Sequence, residues 1–258
     1  MTDPSGWLTA VEEAAALAGE VALRHFRRNP AVEWKGDGSP VTEADRHAER
    51  AVREWIARRF PDDAILGEEY GATGPTGARR WLIDPIDGTK SFVAGVPLWG
   101  SLIAVVEDDR VLAGAINCAA AGEMVVAAAG AGAHWNGSAC AVSGQAELSQ
   151  ATVLTTDDRF PDRPERRARW AFLAERARVV RTWGDCYGYL LVATGRAEVM
   201  VDDLMNPWDA APLPVIIQEA GGRFTDWRGR PTAFGGDSIA CNAALAEVTH
   251  SILLEDER

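Results

Sequence analysis

Between residues 7 and 26, Leu8, Val11, Ala15, Ala18, Val21, Ala22 and Phe26 recur at three- and four-residue steps, the spacing that lines one face of an α-helix. A second helix is predicted over 43–59, with Ala44, Ala48, Ala51, Val52, Trp55 and Ile56 on one face. Thr42 is its expected N-cap, and Asp45 loosely completes a capping box. Between the two helices, Gly36, Asp37, Gly38, Ser39 and Pro40 mark 29–40 as turn-forming. The pattern then changes. Short apolar runs at 64–66, 81–83, 101–106, 111–117 and 123–129, divided by Gly, Asp and Pro, predict strands. Asp108-Asp109, Ala120-Ala121-Gly122 and Asn136-Gly137 are the expected hairpin turns, the last with the residues of a type I′ turn.

In the last third the pattern predicts a strand at 153–155 and a polar helix at 164–178. A buried helix at 187–195 ends on a glycine, and a strand follows at 197–201. A helix at 210–220 stops at Gly221-Gly222 and leads into a strand at 223–226. Pro212 fits the opening turn of that helix, while Pro214 predicts a kink. No repeat or low-complexity linker interrupts the chain. Helix and strand are mixed throughout, which favours α/β layering. The expected division is two closely packed halves, 1–145 and 146–258, in one compact unit.

Composition narrows the function. Of 258 residues 47% are apolar and 25% charged, ordinary globular values that exclude disordered and collagen-like chains. Lys and Arg total 26 against 38 Asp and Glu, a net charge of −12. Such a chain would repel nucleic-acid backbones and anionic membranes. A phosphorylated substrate would then need local positive charge, and a bound cation is the obvious source. The four cysteines form no Cys-x-x-Cys and predict neither a disulfide framework nor a zinc ribbon. No signal peptide pattern opens the chain, and no apolar run approaches the roughly 20 residues of a membrane span, so a cytoplasmic protein is expected. The four histidines share no ligand spacing, and the ten tryptophans read as packing.

The densest chemistry lies in Trp81-Leu82-Ile83-Asp84-Pro85-Ile86-Asp87-Gly88-Thr89-Lys90. An apolar strand is expected to end at one carboxylate, a proline to stop the ladder, and a second carboxylate to follow three residues on. Mg²⁺ takes oxygen ligands, commonly one or two carboxylates with water and phosphate, so Asp84 and Asp87 can share a cation while a turn aims the Ile86 carbonyl inward. A helix starting after Asp87 would offer free N–H groups to an anion. Glu68-Glu69, Asp209 and Asp45 are further acidic spots. Each has a simpler reading taken alone. Asp84 and Asp87 can form a solvated turn, Glu68-Glu69 a surface pair, Asp209 a helix cap and Asp45 an exposed helix residue. The haloacid dehalogenase pattern Asp-x-Asp-x-Thr does not fit, because Asp84-x-x-Asp87-x-Thr89 is one residue too long.

Four motifs in order, VTEAD at 41–45, GEE at 67–69, WLIDPIDGTKSF at 81–92 and PWDAAPLPVIIQEAGG at 207–222, resemble the inositol monophosphatase family. The stretches at 87–105, 183–212 and 221–229 resemble its histidinol-phosphate phosphatase branch. The resemblance implies a layered α-β-α-β-α sandwich and a homodimer acting on a small phosphorylated metabolite. It implies two or three Mg²⁺ ions held by Glu68, Asp84, Asp87, Asp209 and the Ile86 carbonyl. Thr89, hydrogen-bonded to Asp45, would orient or deprotonate the attacking water. Glu69 would assist from behind the ligands, and the Gly88 and Thr89 amides would hold phosphate. Gly184, Asp185, Asp202 and Asp209 would face the rest of the substrate, with Asp185 pairing the histidinol ammonium; its plainer reading is a cap on the helix from Tyr187. Lys90 reaches phosphate or lies on the surface. The implied reaction is hydrolysis of L-histidinol phosphate late in histidine biosynthesis. Within the family the alternatives are inositol-1-phosphate, fructose-1,6-bisphosphate or a 3′-phosphonucleotide. Outside it stands a catalytically silent binding relative.

Overall fold

A computed structural model of the chain describes residues 3–28, 31–36, 38, 40–77, 79–161 and 163–254. Helix α1 (Pro4–Leu23) starts three residues before its apolar stripe, because Asp3 accepts a hydrogen bond from Gly6 N at 2.8 Å and Pro4 suits the first turn. Strand β1 (Val32–Trp34) lies within the stretch predicted as turn and pairs antiparallel with β2 (Pro40–Thr42) at its end. Helix α2 (Glu43–Arg59) has the predicted bounds, and its Thr42–Asp45 capping box is complete.

The larger sheet contains β3 (Ala64–Gly67), β4 (Gly71–Thr73), β5 (Arg80–Asp87), β6 (Gly100–Glu107), β7 (Arg110–Cys118), β8 (Glu123–Ala128), β9 (Gly132–Trp135) and β10 (Ser138–Cys140). Its order is β10-β9-β8-β7-β6-β5-β3-β4, antiparallel except for the parallel β3–β5 pair. Helix α3 (Thr89–Val93) follows β5. The smaller sheet contains β11 (Thr152–Thr155), β12 (Val179–Arg181), β13 (Val199–Asp202), β14 (Arg223–Thr225) and β15 (Ser238–Cys241), in the order β12-β11-β13-β15-β14. The remaining helices are α4 (Pro164–Ala174), α5 (Asp185–Ala193), α6 (Pro207–Ala210), α7 (Leu213–Glu219) and α8 (Ala246–Leu253).

Burial sets the layering. Val11, Ala15 and Ala18 of α1 and Val52 and Ile56 of α2 pack on Ile83, Ile103 and Val105 of the larger sheet. Leu190 of α5 and Leu213, Ile216 and Ile217 of α7 fill the space between the sheets, against Leu102, Ile116, Met200 and Phe224. Trp170 and Leu173 of α4 and Leu253 of α8 cover the far face of the smaller sheet at Val199, Val201 and Ile239. The result is the α-β-α-β-α sandwich. Strand β6 is buried on both faces from Gly100 to Val106, which is why it reads as an unbroken apolar run.

Two further differences from the sequence pattern bear on the site. The helix expected over 210–220 is two helices, α6 and α7, with Pro212 as the N-cap of α7 and Pro214 in its first turn. Prolines lack the N–H that a first turn leaves unused, so the chain restarts a helix there instead of kinking one. That junction lies directly on β7, where a Cβ at Gly114 would come within 2.7 Å of Pro212. Strand β5 does not end at Asp84. It runs to Asp87 through a register shift between Asp84 and Asp87, and this irregularity accommodates the missing N–H of Pro85. No helix of the described residues is long and apolar enough to cross a membrane.

Candidate active site

The irregularity in β5 builds the centre of the site. Asp84 Oδ1 accepts the Ile86 N–H at 3.0 Å, and Ser101 Oγ donates to the Pro85 carbonyl at 2.8 Å, which fixes the displaced strand. Across from it, Asn206 caps α6 and Asp209 reaches back to accept the Asn206 N–H at 2.8 Å. Asp209 is thus the third residue of a capping box, not the cap itself. Ligand oxygens of Asp84, Asp87 and Asp209 lie within 4.8 Å of one another, the one such group of three found among the described residues.

The electrostatics of this cluster favour a cation. Burial pushes the Asp84 carboxyl well above its usual range, and Glu68, Asp87 and Asp209 add repulsion. Burial does the same to Asp87, with Asp185 and Asp209 adding to it. Asp209 is pushed up to about 6, mainly by burial and further by Glu68. Crowded hard oxygen donors that resist ionisation together fit a divalent cation such as Mg²⁺.

Glu68 and Glu69 stand at the β3–β4 turn, beside this cluster. Lys35 Nζ donates to Glu68 Oε1 at 2.7 Å and to Glu69 Oε1 at 2.5 Å. Burial opposes the Lys35 charge, but the bonds to Glu68 and Glu69 outweigh it and raise the pKa. Burial pushes Glu69 up to about 7 despite Lys35. The sequence reading missed Lys35. Its one signal is that it is the only cation in the 29–40 stretch.

Asp45 is buried and mostly committed to the start of α2, where its Oδ2 accepts Thr42 N at 2.8 Å and Thr42 Oγ1 at 2.6 Å. Burial raises its pKa against these bonds. Thr89 Oγ1 donates to the Ile86 carbonyl at 2.9 Å and stands 3.5 Å from Asp45 Oδ1. The expected Thr89–Asp45 contact is therefore the longer of the two, because Ile86 O lies nearer. Gly88 takes the left-handed conformation (φ 82°) before α3, and a Cβ there would meet Leu98 O at 3.0 Å and Asp185 Oδ2 at 3.1 Å.

A cavity of about 250 Å³ adjoins the cluster, lined among others by Asp87, Lys90, Thr156, Asp185, Tyr189, Asp202 and Asp209. Asp185 opens α5 with φ 51°, and its N–H donates to Thr156 Oγ1 at 2.8 Å. Its side chain caps no helix. Burial pushes its carboxyl up to about 6, and Lys90 pulls the other way. Cys186 N donates to Asp87 Oδ2 at 2.5 Å, joining α5 to the carboxylate cluster.

Asp202 lines the same cavity, yet both its oxygens are engaged, by Thr156 N at 3.0 Å and Tyr189 OH at 2.7 Å. Burial pushes it up to about 7. Gly184 is buried, and a Cβ on it would sit 2.3 Å from Thr156 Cα, so its place is to let α5 approach the end of β11. Thr156 and Tyr189, which hold this wall together, carry no local sequence signal.

The sequence profile of the inositol monophosphatase family matches residues 3–257. The histidinol-phosphatase of Chlorobaculum parvum is 46% identical over 235 residues, covering 90% of this chain and 91% of that protein. The histidinol-phosphatase of Mycobacterium tuberculosis is 38% identical over 219 residues, covering 83% and 84%. Among solved structures, an inositol monophosphatase from Zymomonas mobilis superposes with a TM-score of 0.86 at 31% identity, over 98% of this chain and 99% of that one.

Proposed function

The chain belongs to the inositol monophosphatase family of phosphatases, and within it we propose that it hydrolyses L-histidinol phosphate to L-histidinol and phosphate with Mg²⁺. The observation that carries the choice of substrate is Asp185, a carboxylate aimed beside the metal cluster into a cavity otherwise rich in acid. A neutral polyol gains little from that wall, whereas the histidinol ammonium pairs with it. The similarity to histidinol-phosphatases from two organisms supports the same choice.

Asp84, Asp87, Asp209, Glu68 and the Ile86 carbonyl would hold two or three Mg²⁺ ions. Bound there, Mg²⁺ supplies charge neutralisation at the phosphoryl oxygens and acidifies the attacking water. Thr89 Oγ1, placed between Ile86 O and Asp45 Oδ1, orients that water and passes its proton toward Asp45. The Gly88 and Thr89 amides steady the phosphate, and Glu69 assists the attacking water from behind the Glu68 ligand. Water attacks phosphorus, the P–O ester bond breaks, and the leaving oxygen departs on the Asp185 side and takes a proton from solvent water to give the alcohol. Positioning and charge stabilisation are most of what phosphoryl transfer asks.

The same reading makes the enzyme a cytoplasmic homodimer acting late in histidine biosynthesis. It assigns most metal ligands to residues 1–145, and Asp209 with the substrate pocket to 146–258. Phosphate release from histidinol phosphate, inositol-1-phosphate, fructose-1,6-bisphosphate and a 3′-phosphonucleotide, each with Mg²⁺ and with EDTA, tests it. A strong preference for histidinol phosphate that EDTA abolishes is expected. Activity led by inositol-1-phosphate would overturn the substrate, and inactivity on all four would favour a silent relative.

A further inference from the structure

Helix α2 carries a buried ion pair that none of the chemistry above uses. Glu49 is fully buried, and Arg53 Nε donates to its Oε1 at 2.7 Å. The same carboxylate accepts two backbone N–H groups of the metal-side turn, Glu69 N at 2.7 Å on Oε2 and Tyr70 N at 3.2 Å on Oε1. It lies so close to the chain that a Cβ on Gly67 would stand 2.0 Å from Oε1. Arg53 continues the grip on the other strand of the hairpin, donating to Thr73 Oγ1 at 2.8 Å and to the Gly71 carbonyl. One pair on one helix thus holds the β3–β4 turn and β4 beside Glu68.

We infer that Glu49 is a positioning residue that sets where Glu68 and Glu69 stand, and through them the affinity of the site for its divalent cation. This rests on reading Glu68 as a metal ligand. Two features carry it. Like charges crowd at Glu68 and the Asp84–Asp87–Asp209 cluster, so contacts to its backbone are what hold the Glu68 turn inward, and Glu49 accepts both Glu69 N and Tyr70 N. The Glu49–Arg53 pair is the charged group that touches the turn's backbone from the helix side. Asp45 lies four residues before Glu49 on the same helix face, so α2 places the Asp45–Thr89 pair and the Glu68 turn as one rigid body. Loss of the Glu49 charge leaves the Arg53 guanidinium and two amides short of their acceptor.

The test compares wild type, Glu49→Gln, Arg53→Gln and Glu68→Gln by two readouts. One is the Mg²⁺ concentration that gives half of the thermal stabilisation. The other is amide hydrogen exchange over 67–73 with EDTA present. Glu49→Gln is expected to raise the Mg²⁺ midpoint by about tenfold, in the range of groups that orient metal ligands, while kcat at saturating Mg²⁺ stays within about threefold of wild type. Exchange over 67–73 should quicken while that over α2 does not. A merely structural role would lower Tm equally with and without Mg²⁺ and leave the midpoint where it is, and that result overturns the inference. Should Glu49→Gln not fold, Arg53→Gln decides on the same terms. The underlying reading fails separately, if Glu68→Gln has the wild-type midpoint or if Mg²⁺ does not stabilise the wild type.

Discussion

Lys35 Nζ lies 2.7 Å from Glu68 Oε1, so a tethered ammonium balances a carboxylate that stands beside the Asp84–Asp87–Asp209 cluster. The same ammonium is 2.5 Å from Glu69 Oε1, whose side chain is 5% exposed. Lys35 and a divalent cation held by Glu68 therefore serve the same carboxylate. Lys35→Met should lower stability in EDTA at pH 8 by about 1–2 kcal/mol, between the values for exposed and fully buried pairs. Saturating Mg²⁺ should remove most of that difference. Thermal melts of both proteins with and without Mg²⁺ check this, and an equal deficit in both conditions would refute it.

The raised carboxyls give a pH dependence with a definite sign. Glu69 titrates at about 7 and Asp209 at about 6 in the folded chain. Unfolded, both would titrate near the ordinary value of about 4. Between those limits the folded chain holds protons that the unfolded chain has lost, so its stability is greatest near the lower end and declines as pH rises through 6 to 7. Asp157, held down to about 2 chiefly by its bonds to Arg159, acts in the opposite sense only below the ordinary carboxylate range and leaves this window untouched. With EDTA, Tm should therefore fall between pH 5.5 and 8. Because the cation must displace those protons, the Mg²⁺ midpoint should fall over the same interval, by at least about tenfold. A flat Tm profile in EDTA would count against protonated carboxyls at the cluster.

Asp185 is held by its backbone, not by its side chain: its N–H rests on Thr156 Oγ1, and Thr156 N rests on Asp202. Asp185→Asn should cost about 10–100-fold in kcat/KM on histidinol phosphate, the worth of a charge-assisted bond, with under about threefold on a neutral phosphomonoester such as β-glycerophosphate. Thr156→Val should move selectivity in the same direction by a smaller factor, and Thr156→Ser should restore it. Steady-state kinetics on the two substrates decide. An unchanged ratio in Asp185→Asn removes the amine pocket from the proposal without touching the metal site.

What the sequence makes legible here is local, and what it hides is long-range. Asp84 and Asp87 are readable because a strand, a proline and two carboxylates fall within a few residues, although the strand's continuation to Asp87 is visible only once β6 is paired with it. The α2 cap is likewise written in neighbouring residues, whereas the break between α6 and α7 at Pro212 is not, since the local pattern reads as one kinked helix. Lys35 is not, since its partners are 33 and 34 residues away and a lysine in a turn is the commonest of surface residues. Tyr189 meets Asp202 and Ser238 only when α5 packs on the smaller sheet. Three-residue strands such as β4, β10 and β12 are too short to show a period. Glu49 reads from sequence as one more acid on a charged helix; its burial depends on Gly67 coming to rest against it.

Thr89 and Asp45 separate by what each also holds up. Thr89 Oγ1 donates to Ile86 O at 2.9 Å and, at the longer 3.5 Å, to Asp45 Oδ1, so removing it disturbs little structure. Asp45 closes the capping box of α2 through two bonds to Thr42. Thr89→Val should therefore lower kcat by about 10²–10⁴, the usual worth of a proton-transfer group, with Tm and the Mg²⁺ midpoint nearly unchanged. Thr89→Ser should recover most of that loss. Asp45→Ala should lose both kcat and about 1 kcal/mol of stability, because the α2 cap goes with it. Single-turnover rates set beside thermal melts distinguish the two. A Thr89→Val enzyme that keeps its kcat would take the proton path away from Thr89 and leave Asp45 only its place in the α2 capping box.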